Sequence, residues 1–119
     1  MDKVNLSEKL ALFEETWSPR VVAELNGQHV KLVKLAGEFV WHHHEREDEL
    51  FFVLHGELEI HFRDRVVVLC AGEMLVVPRG VEHKPVARES AQVLLFEPAS
   101  TLNTGNVVNE QTVAQPDWV

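Results

Sequence analysis

The sequence predicts an all-β domain, a small sandwich or barrel with a short helix at its N-terminus. Three observations predict it. Strand-length runs rich in Val, Leu, Ile and Phe recur from Val21 onward, turn-forming dipeptides separate them, and one run alternates apolar with polar residues.

The helix comes first. Asn5 with Glu8 three residues later resembles a capped helix start, and Leu6, Leu10, Phe13 and Trp17 follow at helical spacing on one face. About ten residues of amphipathic helix are expected, ended by Ser18-Pro19 because proline disfavours helix at the preceding residue. Strands are then expected at Val21–Leu25, Val30–Leu35, Phe39–His44, Glu49–Leu54, Leu58–Arg63, Val66–Cys70, Met74–Val77 and Val93–Phe96. Asn26-Gly27, Gly37, His55-Gly56, Arg63-Asp64, Ala71-Gly72, Pro78-Arg79-Gly80 and Glu89-Ser90 supply the turns. Leu58, Ile60 and Phe62 alternate with Glu57, Glu59, His61 and Arg63, which puts one face on a core and the other in water. Beyond Phe96 the pattern fails, and the segment is rich in Asn, Thr, Ser and Gln. Trp118 is costly to leave in water, so this tail is expected to pack on the barrel or on a second subunit. The chain thus divides into a helical segment 1–18, a barrel 19–98 and a C-terminal tail 99–119.

The 119 residues, 45% hydrophobic and 25% charged, suit one globular domain with one core. A domain of this size can bury enough surface to fold without a metal or disulfide staple. The net charge of -8, from 11 basic and 19 acidic residues, argues against nucleic acid or an anionic membrane as partner. No apolar run is long enough for a membrane span and no secretory signal is evident, so a cytoplasmic location is expected. Cys70 is the only cysteine, beside apolar Val66 to Leu69, and reads as a small buried hydrophobe rather than a nucleophile.

The chemistry lies in two blocks. The first is Trp41-His42-His43-His44-Glu45-Arg46-Glu47-Asp48-Glu49. In an extended segment side chains two apart share a face, so His42 and His44 can address one site, and Glu49 can add a carboxylate after a turn. The second is Gly72-x5-Pro78-x-Gly80-x2-His83. Together the two blocks resemble the cupin superfamily, whose motifs are a glycine, a His-x-His pair, a glutamate and a glycine, then Gly-x5-Pro-x-Gly-x2-His with a late asparagine. Two departures stand out: the gap from Gly37 to His42 is one residue short of the usual, and Ala87 occupies the late asparagine's place. Neither removes a ligand.

The resemblance implies a double-stranded β-helix (jelly-roll) barrel of the small single-domain cupin 2 type. It also implies a divalent transition metal, iron, manganese, nickel, zinc or copper, held by His42, His44, Glu49 and His83. Without a thiolate the donor set does not choose among these ions. Open coordination positions suggest a small metalloenzyme, dioxygenase- or sugar-isomerase-like, acting on a small polar or anionic molecule bound at the metal. The alternative is a binding or sensing module without turnover; a purely structural ion fits an open donor set poorly. Arg79, in the Pro78-Gly80 turn, is a candidate for pairing with an anionic substrate. His43, His55 and His61 read as surface residues, and no further acid, base or nucleophile is identifiable. A homodimer is expected, formed through the Val21–Leu35 edge and the apolar stripe of the helix.

Overall fold

The computed structural model describes residues 1–119. One short helix, α1 Leu6–Leu10, precedes six strands: β1 Arg20–Leu25, β2 Gln28–Glu38, β3 Glu49–His61, β4 Val66–Cys70, β5 Met74–Val77 and β6 Lys84–Pro98. All pairings are antiparallel, in the order β1-β2-β6-β3-β4, with β5 on the first half of β3 and β4 on its second half.

The sheet curls because its long strands bend. Register shifts fall at Leu35/Gly37, Val53/His55 and Gly56/Glu59, and such bulges kink a strand and increase its twist. At Gly56 the chain passes so close to β6 that a Cβ would stand 2.2 Å from the Ser90 carbonyl oxygen, and φ is +83°. Only glycine fits there. The inner faces then meet in one core built on Phe51, Val53, Leu58 and Ile60 of β3 and Phe62 just beyond it, with Val33, Leu69, Val77, Val93 and Leu95 around them. Each such side chain contributes about 1.5–3 kcal/mol of burial.

Several expectations need correction. The helix is half the anticipated length: Asn5 caps it by accepting from Glu8 N at 3.0 Å, but it stops at Leu10. Local helices this short are marginal, and tertiary contacts win. Lys34 Nζ donates to Phe13 O, Trp17 N donates to Lys34 O at 2.8 Å, and the Trp17 indole donates to Ala36 O, so after a turn at Ala11-Leu12 the chain is tied to β2 instead of continuing the helix. Phe13 is buried nonetheless, and Trp17 packs on the main core. Glu49–Leu54 and Leu58–Arg63 merge into one strand that ends at His61, since Gly56 bends the chain without ending the ladder. Val93–Phe96 is the end of a far longer β6; the polar Arg88-Glu89-Ser90 stretch stays in the strand with Arg88 turned outward onto Glu59 at 2.6 and 3.2 Å. Phe39–His44 makes only isolated backbone bonds, described below. Cys70 is exposed, not buried. Partial desolvation with Glu73 and Glu57 pushes its thiol pKa up, so it remains a poor nucleophile.

The surfaces expected to pair with a second subunit are used within the chain. Leu10 and Phe13 bury against Val22 and Leu32, with Val119 of the tail joining them. The start of the β1 edge is covered by the tail, where Val21 N donates to Asp117 O and Val119 N donates to Val21 O. Trp118 lies edge-on to His29 yet stays exposed. A different surface is left open. The register aligns Val30, Phe96, Leu50 and Val76 in one row and Leu32, Leu94, Phe52 and Met74 in the next, all on the outer face. Helix and tail cover the β2 side of these rows, while Met74 and Val76 remain about half exposed, at 55% and 47%. No helix is long and apolar enough to cross a membrane.

Candidate metal centre

Two separated segments are zipped together at the site. His42 N donates to His83 O at 3.1 Å and His83 N donates to His42 O at 2.9 Å, an isolated antiparallel bridge. Gly80 N donates to His44 O at 2.7 Å, and Phe39 N to Pro85 O at 2.9 Å. Residues 39–44 are therefore extended, as alternation of His42 and His44 required, but lie along 80–85 instead of joining the main ladder. Glu49 opens β3 opposite Val77. The tail holds the outer side: His43 N donates to Asn106 Oδ1, and Asn106 N to His43 O. Gly105, with φ +57°, presses so near that a Cβ would stand 2.2 Å from His43 O.

His42, His44, Glu49 and His83 converge, each at most 4% exposed, with one donor atom apiece lying within 4.8 Å of the others. His42 Nδ1 donates to Val40 O and His83 Nδ1 to Val81 O, both at 2.9 Å, because a carbonyl can only accept. Their Nε2 lone pairs therefore face the cluster, and such backbone anchoring fixes the tautomer a metal ligand needs. His44 Nε2 and His83 Nε2 stand 3.3 and 3.4 Å from Glu49 Oε1, yet all three atoms are buried without a hydrogen bond. Leaving polar atoms so costs roughly 1–3 kcal/mol each. An ion with bonds of about 2.1 Å separates adjacent ligands by about 3 Å and opposite ones by about 4.2 Å, which the observed spacings approach. The residues fit a divalent transition ion.

The electrostatics suit the same purpose. Burial, then the charge of neighbouring His83, lowers the His42 pKa to about 4, so the imidazole is neutral and free to coordinate. Burial alone would raise Glu49, but contacts with His44, His83 and Glu97 outweigh it and hold the carboxyl well below its ordinary value.

Two residues that the sequence reading passed over lie against the cluster. Lys31 and Glu97 are 2% and 1% exposed, and Lys31 Nζ donates to Glu97 Oε1 at 3.0 Å. Glu97 in turn touches Glu49; burial, with the Glu49 charge adding to it, raises the Glu97 pKa well above normal. The proton shared by the two carboxyls belongs on Glu97. A signal for both residues was available. Period-two alternation puts Lys31 on the face of Val33 and Leu35, and Glu97 on the face of Val93 and Leu95, where a charge has no business unless partnered.

Arg79 is held by Asp48. Its backbone N donates to Asp48 Oδ1 at 2.8 Å and its guanidinium reaches the same carboxylate at 3.3 Å, on an exposed turn next to Gly80, and it does not line the cavity described below. His55 is exposed, while His43 and His61 are half-buried beside Glu45 and Glu59.

A cavity of about 40 Å³ opens beside His42 and Glu49. Trp17, Pro19, Val33, Leu35, Phe39, Phe51, Pro85, Leu95 and Asn103 form the rest of its wall. Trp17 stacks on Phe39 at 4.7 Å, and Phe39 meets the His42 ring edge-on at 5.4 Å. The Asn103 amide is committed in part, its Nδ2 donating to Gln111 O and its Oδ1 accepting from Val113 N. Polar contact in this cavity is left to the four-residue cluster and to the second N–H and second lone pair of the Asn103 amide.

An all-β barrel with a short N-terminal helix and a buried His/His/Glu/His cluster defines a class. The Cupin domain model matches residues 28–97, and the chain belongs to the cupin family. Among solved structures, a cupin-2 domain containing protein from Shewanella frigidimarina NCIMB 400 is 53% identical, with a TM-score of 0.79 over 80% of this chain and 93% of that one. Protein NMB1881 from Neisseria meningitidis is 32% identical, with a TM-score of 0.76 over 82% of this chain and all of that one. The uncharacterized protein YdbB of Bacillus subtilis (strain 168) is 45% identical over 64 residues, 53% of this chain and 57% of that relative's length. These likenesses fit a jelly-roll barrel.

Proposed function

We propose that this cupin is a metalloenzyme in which His42, His44, Glu49 and His83 hold one divalent transition ion and a small molecule binds beside it. The observation that carries the reading is the set of buried, unpaired donors next to a cavity. Iron, manganese, nickel, zinc and copper all remain compatible with three imidazoles and one carboxylate. When bound, such an ion supplies Lewis acidity and, if redox-active, electron transfer.

The cavity wall refines the substrate class. The cavity is open to solvent, so part of a bound molecule can extend outside it, and its walls are aromatic and aliphatic. Hydroxyls of a sugar would be stranded against Trp17, Phe39 and Leu95, at a cost for each one unpaired. A substrate with one polar end at the metal and an apolar body fits better, which favours dioxygenase-like over sugar-isomerase-like chemistry. With Arg79 tied to Asp48, an anionic group would rely on the metal rather than on arginine.

A non-catalytic binding module is the second reading, and the lack of an ionisable side chain in the cavity wall outside the cluster favours it. No side chain outside the cluster offers the cavity a free acid or base. Calorimetric titration of metal-free protein with iron(II), manganese(II), nickel(II) and zinc(II) is expected to show one site per chain. Binding of none of them would end both readings. Turnover of apolar catechol-, thiol- or diketone-type compounds under air separates the two, because a sensor returns its ligand unchanged.

The homodimer is proposed through the outer rows ending in Met74 and Val76, which replace the edge and helix as the apolar surface available to a second copy. Both faces of this sheet are apolar, whereas antiparallel sheets generally leave one to water. Sedimentation is expected to give a dimer that Phe52→Glu converts to monomer. A 13.6 kDa species at micromolar concentration would refute it.

A further inference from the structure

Three charged side chains stand side by side on the inner face of three adjacent strands. Leu50 pairs with Phe96, so the next step of the antiparallel register sets Glu49 opposite Glu97. Lys31, on β2, pairs with Leu95 and lies diagonal to Glu97. Like charges directly opposite each other repel, and a buried ion pair gains little or nothing over an apolar pair of the same shape. Stability therefore gives no reason to place Lys31 and Glu97 inside a barrel whose neighbouring positions are Val33, Leu35, Val93 and Leu95.

Their contacts give a reason. Lys31 fixes Glu97 Oε1 at 3.0 Å, and the Glu97 carboxyl touches Glu49, whose Oε1 faces His44 and His83 at 3.3 and 3.4 Å. One end of a continuous chain is a buried ammonium and the other is the proposed ligand oxygen. We propose that Lys31 and Glu97 are positioning residues for the metal, a hydrogen-bonded brace across β2, β6 and β3 that holds the Glu49 carboxylate in its ligating orientation. This rests on the metal-binding reading above and extends it to residues outside the ligand set. Partners that orient ligands in this way change affinity by roughly 10–100-fold when removed.

The test compares the parent protein with the double variant Lys31→Met/Glu97→Leu, which exchanges the buried pair for apolar side chains of similar size and is expected to fold with unchanged or higher thermal stability. Cobalt(II) is the probe, because its visible absorption reports coordination number and ligand field. The parent is expected to bind cobalt(II); failure there overturns the metal-binding reading itself. If the parent binds, the double variant is expected to bind at least about 10-fold more weakly and with a shifted absorption band. Unchanged affinity with an unchanged band in a folded double variant would overturn the brace alone. Glu97→Gln, whose amide can still accept from Lys31 and donate to Glu49, is expected to retain affinity within about threefold and the parental band. If the double variant does not fold, Lys31→Met alone carries the test: unchanged cobalt(II) affinity with an unchanged band in that folded variant would then overturn the brace.

Discussion

The two ends of the barrel interior are built on opposite principles. Around the second half of β3, Leu58, Ile60, Phe62 and Leu69 fill the space with apolar side chains that are 8% exposed or less. Around the first half, Lys31, Glu97, Glu49 and three histidines are equally buried, and several of their polar atoms lack partners. The first end lowers the free energy of folding. The second raises it, and the proposed function accounts for that cost, because converging, desolvated donors are what an ion requires. Stability and binding are thus assigned to different parts of one core, and substitutions should separate them.

The largest effect is expected at the ligands. Glu49→Ala should weaken metal binding by more than about 100-fold in a calorimetric titration, exceeding what removal of a supporting residue does. The metal-free melting temperature should hold or rise, since the variant also relieves the contact with Glu97. A fall in both would show that the two ends are not independent.

Ile60→Ala makes the converse change. Ile60 is fully buried in the apolar end, and its truncation should cost about 2–5 kcal/mol in urea unfolding while metal affinity stays within a factor of about three. Acid should act on the polar end alone. With a His42 pKa of about 4 in the folded chain and about 6.5 unfolded, the unfolded chain binds more protons between these values. This contribution to stability is complete above about pH 6.5 and is lost as pH falls toward 4, by on the order of 3 kcal/mol; the lowered Glu49 carboxyl adds to the loss at lower pH. Urea midpoints of metal-free protein at several pH values check it, and His42→Phe should remove this loss and leave the opposite slope of Glu97, whose raised folded pKa adds stability as pH falls. The smallest effect is expected at Arg79→Ala, within about 0.5 kcal/mol of parental stability and without change in metal or ligand binding. A tenfold loss of ligand affinity there would restore Arg79 to the site.

The sequence alone determined whatever depends on local spacing. Alternation in Leu58 to Arg63 gave the inner and outer faces of β3, and His42-x-His44 with Glu49 and the Gly72 to His83 block marked the residues that converge. The helix was legible only at its start, because capping is local while its end depends on Lys34 and Trp17 contacts with a strand that the helix itself cannot specify. Tertiary structure decided the rest. It turned two short strands into one through Gly56, moved Cys70 to the surface, covered the start of the β1 edge with residues 117–119, and tied Arg79 to Asp48. It also set Lys31 beside Glu97 across 66 positions of sequence. A period of two says which face a side chain takes, but only the register between strands says what it meets there.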